Sequence, residues 1–185
     1  MIDFTFYTHE ASTGHTRELL DDISKRYGFI PNLFAYMAEA PTTIEAYLSL
    51  NDLVSKTSLS PAQQQVALLA ASVENDCEFC TVAHRAMGKM SGANASTLDA
   101  LNSGSGSGSD SAITDAKDYA LAMFTKAIVK QRGRPTEVEI RAFLDAGYSK
   151  QQILEVILIV SIKTLSNYVN HLTNPEPNQE LLGML

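Results

Sequence analysis

Tryptophan is absent from this sequence, and cysteine occurs only twice in 185 residues. Aromatic residues make up 8% of the chain, so no platform of rings for stacking nucleic-acid bases is visible. Basic residues are outnumbered. There are 14 Lys and Arg against 21 Asp and Glu, a formal net charge of −7. A chain of that sign lacks the basic patch that phosphate contacts need and is repelled by anionic lipid, which argues against nucleic-acid and membrane partners. Long runs of large aliphatic residues are also missing. The longest, Val156 to Val160, falls far short of the roughly 20 apolar residues that cross a bilayer. The opening residues, MIDFTFYTHEAS, have neither the basic start nor the unbroken apolar stretch of a secretory leader. The expected location is the cytoplasm. In that reducing compartment a closely spaced cysteine pair is expected to be catalytic, redox-active or metal-binding rather than a staple.

What is present is helix signal. The hydrophobic share of 45% and the charged share of 19% are those of a globular protein, and the length fits one domain spanning residues 1–185. Three capping boxes are legible, at Ser60-Pro61-Ala62-Gln63, Thr136-Glu137-Val138-Glu139 and Ser149-Lys150-Gln151-Gln152. Gly147 stands where a helix would need a left-handed C-terminal residue. The pattern predicts an all-α chain with helices near 15–27, 31–39, 41–56, 61–74, 76–90, 95–101, 114–131, 136–146 and 149–171. The first dozen residues and the tail after Thr173 are expected to be irregular, and the apolar tail either frays or packs on a neighbouring subunit. Ser103 to Ser109 alternates serine and glycine and reads as a flexible loop inside the single domain. The stripe from Ile153 to Ile162 covers most of a helix circumference, which predicts a fully buried helix.

The chemistry sits at Cys77-Glu78-Phe79-Cys80-Thr81-Val82-Ala83-His84. Asn75 or Asp76 is a good N-cap, so the dithiol is expected in the first turn of a helix, whose N-terminal partial charge favours thiolate. At 100° per residue the two cysteines lie about 60° apart around the axis. Cys80 and His84 form an i, i+4 pair on one face, so the histidine could take the cysteine proton or stabilise the thiolate. One thiolate could attack a peroxide oxygen and become a sulfenic acid, and the other thiol could condense with it to a disulfide. Two other readings of the same residues remain: a pair of small buried hydrophobes, or a zinc site of Cys77, Cys80, His84 and His171 that lacks the second tight ligand pair a structural zinc normally has.

At these residues the sequence resembles the AhpD-like alkylhydroperoxidase and carboxymuconolactone decarboxylase family, most closely its peroxidase-related branch. The resemblance runs over Tyr27 to Phe34, over Leu59-Ser60-Pro61 and the helix after it, over Cys77 to His84, and over Lys163-Thr164-Leu165-Ser166-Asn167-Tyr168-Val169-Asn170-His171, or about residues 15–175. It implies an AhpD-like helical bundle with the C-x-x-C at a helix N-terminus, a homo-oligomer, and a thiol-dependent peroxidase. That enzyme would reduce hydrogen peroxide or organic hydroperoxides without a bound cofactor or metal and be recycled by an unidentified dithiol electron donor. By the resemblance Cys80 is peroxidatic, Cys77 is resolving and His84 belongs to a proton relay. The relay glutamate of the family corresponds here to Gln65, which can hydrogen-bond but cannot accept a proton, and the histidine that several members carry between the cysteines corresponds to Phe79. Glu74, three residues before Cys77, is a candidate replacement base. Two alternatives follow from those departures: a lactone decarboxylase-like enzyme without redox chemistry, and a non-enzymatic redox-sensing or oligomeric binding module. Tyr168, Asn167 and His171 are not promoted to site roles. His9 and His15 read as solvated, and Met87 and Met90 read as core filling.

Overall fold

Capping serines, threonines and prolines divide the chain into helices, and the computed structural model follows those marks. It describes residues 3–102 and 109–185. The Ser103–Gly108 part of the Gly/Ser segment lies outside the described residues. Among the described residues there are ten α-helices, one 3-10 turn and no strand. The helices are α1 (Gly14–Tyr27), α2 (Asn32–Met37), α3 (Pro41–Val54), α4 (Pro61–Glu74), α5 (Glu78–Met90) and α6 (Ala95–Asn102). After the 3-10 turn Ser109–Ala112 come α7 (Ala116–Lys130), α8 (Glu137–Asp145), α9 (Lys150–Thr173) and α10 (Gln179–Leu182). All three capping boxes form. Gly147 takes the left-handed conformation, with φ 91°.

The central helix is α4. Every residue from Val66 to Val73 is buried, and α5, α6, α7 and α9 all pack against it. Its alanines at 67, 70 and 71 bring no bulk, so four neighbours can approach one axis. The core they share runs from Leu20 in α1 to Leu181 in α10 and draws residues from both sides of the Gly/Ser segment. Stacked rings of Phe124, Phe143 and Tyr148, with centroids 4.4 Å apart at each step, bind α8 and the turn after it to α7.

The expectation of a fully buried α9 is corrected. Leu154 is 70% exposed and Ile157 37%. The buried face consists of Val156, Ile159, Ile162, Lys163, Ser166, Asn167 and Asn170, a helical spacing that turns from aliphatic to polar halfway along. By length and composition α9 could cross a membrane, yet here it packs against α2, α3, α4, α5 and α7. The tail is also more ordered than expected. Asn178 accepts from the Asn32 backbone N–H at 2.8 Å, and Asn32 donates through Nδ2 to the Glu176 carbonyl at 2.8 Å. These bonds seat α10 against α5, and Lys89 Nζ donates to the Leu185 carbonyl.

Candidate active site

A single junction places the dithiol. After α4 the Cys77 N–H donates to the Ser72 carbonyl at 2.9 Å and the Asp76 N–H to the Val73 carbonyl at 3.0 Å. This is the paired closure of a Schellman motif, with Asp76 left-handed at φ 53°. Asn75 and Asp76 therefore finish α4 rather than start α5. The expected N-cap is corrected: Cys77 itself occupies that position, and its carbonyl accepts the Thr81 N–H at 2.9 Å. Cys80 lies three residues on, in the first turn. Both cysteines are free and buried.

Three residues of α9 surround the sulfurs. Asn170 Nδ2 donates to Cys80 Sγ at 3.1 Å and to Cys77 Sγ at 3.4 Å. Ser166 Oγ lies 3.9 Å from Cys80 Sγ. Lys163, only 1% exposed, hydrogen-bonds to Cys80 and lies 2.8 Å from His84 Nε2. Lysine only donates, so His84 Nε2 is the acceptor and the imidazole proton sits on Nδ1, which donates to Gln65 Oε1 at 2.9 Å. The order is Cys80, Lys163, His84, Gln65. His84 does not face the thiol directly, because Lys163 stands between them. Glu74, the last residue of α4, is half-buried, and the hydrogen bonds described on the two sulfurs join them to α9 and to each other.

The two cysteines are driven apart electrostatically. Burial is the largest single effect on Cys80 and pushes its thiol up. The hydrogen bond from Cys77, the positive charge of Lys163 and hydrogen bonds from Lys163 and Ser166 outweigh it and lower Cys80 to about 5. The bond that Cys77 donates to Cys80, its own burial and the charge on Cys80 push Cys77 well up. Burial, then the charge of Lys163, holds His84 far below its ordinary value and hence neutral. This arrangement supplies one thiolate and one thiol.

A cavity of about 280 Å³ opens onto Cys80, Lys163, His84 and Gln65. Its wall includes Tyr27, Phe34, Tyr47 and Phe79, closed by Leu181 and Met184 from the tail. Met87 and Met90 also face it, so they line a cavity rather than fill the core. Cys77 does not line this cavity but two others: a cleft of about 270 Å³ shared with Asp76, Glu78, Asn170 and His171, which Phe79 separates from the Cys80 cavity, and one of about 330 Å³ shared with Val73, Thr81 and Asn102. His171 is exposed and stacks on Tyr168 at 6.1 Å. Asn167 is buried and accepts from Asn75 Nδ2 at 2.9 Å. His9 pairs with Asp21 at 2.5 Å, and His15 with Glu45 at 2.7 Å. Among the described residues no three His, Cys, Asp or Glu side chains converge on a metal position.

Lys163, Ser166 and Asn170 were not singled out from sequence. A signal existed: with Val156 and Ile159 they continue one helical face, and polar residues on a core face need partners.

Residues 41–120 match the family described as Carboxymuconolactone decarboxylase family, in line with the resemblance over that part of the chain. No curated protein matches the chain. Among solved structures, the alkylhydroperoxidase AhpD core protein of Ralstonia eutropha JMP134, an uncharacterised peroxidase-related protein, superposes with a TM-score of 0.78 at 20% identity, over 96% of this chain and 93% of that one. A peroxidase-related protein of Silicibacter sp. TM1040 gives 0.77 at 18% identity, over 91% and 87%. The debrominase Bmp8, as a cysteine-to-alanine variant in complex with 2,3,4-tribromopyrrole, gives 0.74 at 14% identity, over 100% and 95%. These likenesses show the AhpD-like all-helical fold.

Proposed function

We propose that this chain, which matches the carboxymuconolactone decarboxylase family over residues 41–120, is a thiol-dependent peroxidase working through Cys77 and Cys80. The observation that carries the reading is a lysine-paired Cys80 thiolate at the base of an apolar cavity, with a second sulfur held beside it by Asn170. The Cys80 thiolate attacks the terminal oxygen of a hydroperoxide, the O–O bond breaks, and the alkoxide leaves with a proton as alcohol. The resulting sulfenic acid is attacked by Cys77, which forms the disulfide and expels water. Lys163 is placed to supply the departing proton, and the neutral His84 and Gln65 hold that lysine in position. A dithiol donor returns the pair to the reduced state.

The test is rapid mixing of reduced protein with cumene hydroperoxide and intact-mass analysis. Loss of the mass of two hydrogens, abolished by Cys80→Ser, is expected. No change within minutes refutes the reading.

A second reading has an observation of its own, the debrominase likeness across the whole chain. A dithiol can also give two electrons to a halogenated ring: halide leaves, a proton takes its place on the carbon, and the two thiols, having released two protons, become a disulfide. Bromide release from a bromopyrrole, with no peroxide consumption, would favour it. The exposed apolar residues Leu154, Ile157, Tyr168 and Leu172 of α9 support a homo-oligomer, which light scattering tests.

A further inference from the structure

The two sulfurs face different spaces. Cys80 lines the apolar cavity and Cys77 does not, whereas Cys77 lines the polar cleft and Cys80 does not. Asn170 also lines that cleft and is 4% exposed, and its Oδ1 is buried with no partner among the described residues. A buried carbonyl oxygen without a donor is costly. Here it stands beside the sulfurs, where the uncharged second thiol of an arriving dithiol would bring one.

We propose that the reductant reaches the oxidised protein through this cleft rather than through the cavity that takes the hydroperoxide, and that it is a small neutral or cationic dithiol attacking Cys77. The proposal rests on the dithiol cycle above. The first donor thiolate attacks Cys77 Sγ, the Cys77–Cys80 bond breaks, and its electron pair leaves on Cys80 as a thiolate paired with Lys163. The donor's second thiol then attacks its own sulfur in the mixed disulfide, releasing Cys77 with a proton and leaving the donor as a disulfide. Two electrons and one proton pass to the protein in all, because the donor arrives as a thiolate and Cys80 remains one. Attack on Cys77 is favoured because exchange is faster when the better-stabilised thiolate leaves. Of the two sulfurs, Cys80 is the one held by the lysine cation. The cleft size, about 270 Å³, admits a small molecule, and the exposed Glu78 at its edge repels anionic thiols.

The test begins from the wild-type disulfide made with diamide, so that peroxide reactivity is not needed. The protein is mixed with cysteamine, quenched in acid at the earliest times and alkylated. Fragmentation between residues 77 and 80 then locates each adduct. Cysteamine on Cys77 with alkylation on Cys80, in at least about tenfold excess, is expected. Cysteamine mainly on Cys80 overturns the proposal. In a second arm, cysteamine should reduce the disulfide faster than mercaptoethanesulfonate, and Glu78→Gln should narrow that ratio about two- to threefold. An unchanged ratio overturns the charge preference. If the adduct falls on Cys77 while cumene hydroperoxide fails to oxidise the reduced protein, the peroxidase reading alone is lost.

Discussion

Lys163→Met tests the electrostatic core of the site. Cys80 is lowered from 9.0 to about 5, a gap of about four units at about 1.4 kcal/mol each. Lys163 acts twice, by its charge and by a hydrogen bond, and burial opposes it. Without the lysine, the bonds from Cys77, Ser166 and Asn170 remain against burial but no positive charge does, and Cys80 should titrate above about pH 8. The thiolate share at pH 7 then falls from about 99% to below about 10%. Methionine keeps the length and flexibility of the lysine stem and removes a buried charge, so the fold should tolerate it. The assay is thiolate ultraviolet absorbance against pH, with iodoacetamide alkylation as a second readout and Cys80→Ser as the blank. Wild type should show one step near pH 5, and Cys77 should stay silent through the neutral range. A variant midpoint that remains below pH 6.5, or a wild-type midpoint near 9, would refute the account of Lys163.

Four further outcomes are expected. Gln65→Glu places a carboxylate on the Nδ1–H of His84, raises the histidine pKa and should increase peroxidase turnover at pH 7; a flat or lower rate in a stopped-flow pH profile counts against the relay argument. Asn170→Leu removes the amide that holds both sulfurs and should slow disulfide formation about tenfold, with a stability loss of about 1 kcal/mol or less in urea, because no buried oxygen is left unpaired. Leu181→Ala opens the cavity wall and, by truncating a buried side chain, should cost about 2–5 kcal/mol in a urea melt and narrow the preference for cumene hydroperoxide over hydrogen peroxide. The pH dependence of stability follows from the depressed Cys80. Between pH 5 and 9 the unfolded chain binds the extra proton, so the reduced protein gains stability as pH rises and loses it as pH falls through 5, an effect of roughly 3 kcal/mol by pH 7. Neutral His84 adds in the same direction below pH 6.5. The oxidised protein should lack the cysteine part, which paired urea titrations check.

Local signals reached most of the fold and part of the site. The boundaries of α4 were legible to the residue because Ser60, Pro61 and Gln63 fix its start by short-range hydrogen bonds. The start of α5 was misplaced because Asn75 and Asp76 are good caps in general, and only the left-handed turn at Asp76 commits them to the preceding helix. The order of Lys163, His84 and Gln65 could not be read at all. It depends on α5 and α9 meeting across the core, and Lys163 and His84 are 79 positions apart in the chain. The amphipathic face of α9 was hidden by aliphatic residues on both of its sides. The seat of α10 depends on Asn32 and Asn178, 146 positions apart.

The different spaces lined by Cys80 and Cys77 bear on steady-state kinetics. An oxidant and a reductant that use one doorway compete, and raising either one eventually inhibits turnover. With separate doorways neither obstructs the other. Double-reciprocal plots should be parallel lines that stay straight at high concentrations of both reactants, and a bulky inhibitor lodged against Tyr47 should compete with the hydroperoxide while leaving the reductive half-reaction untouched.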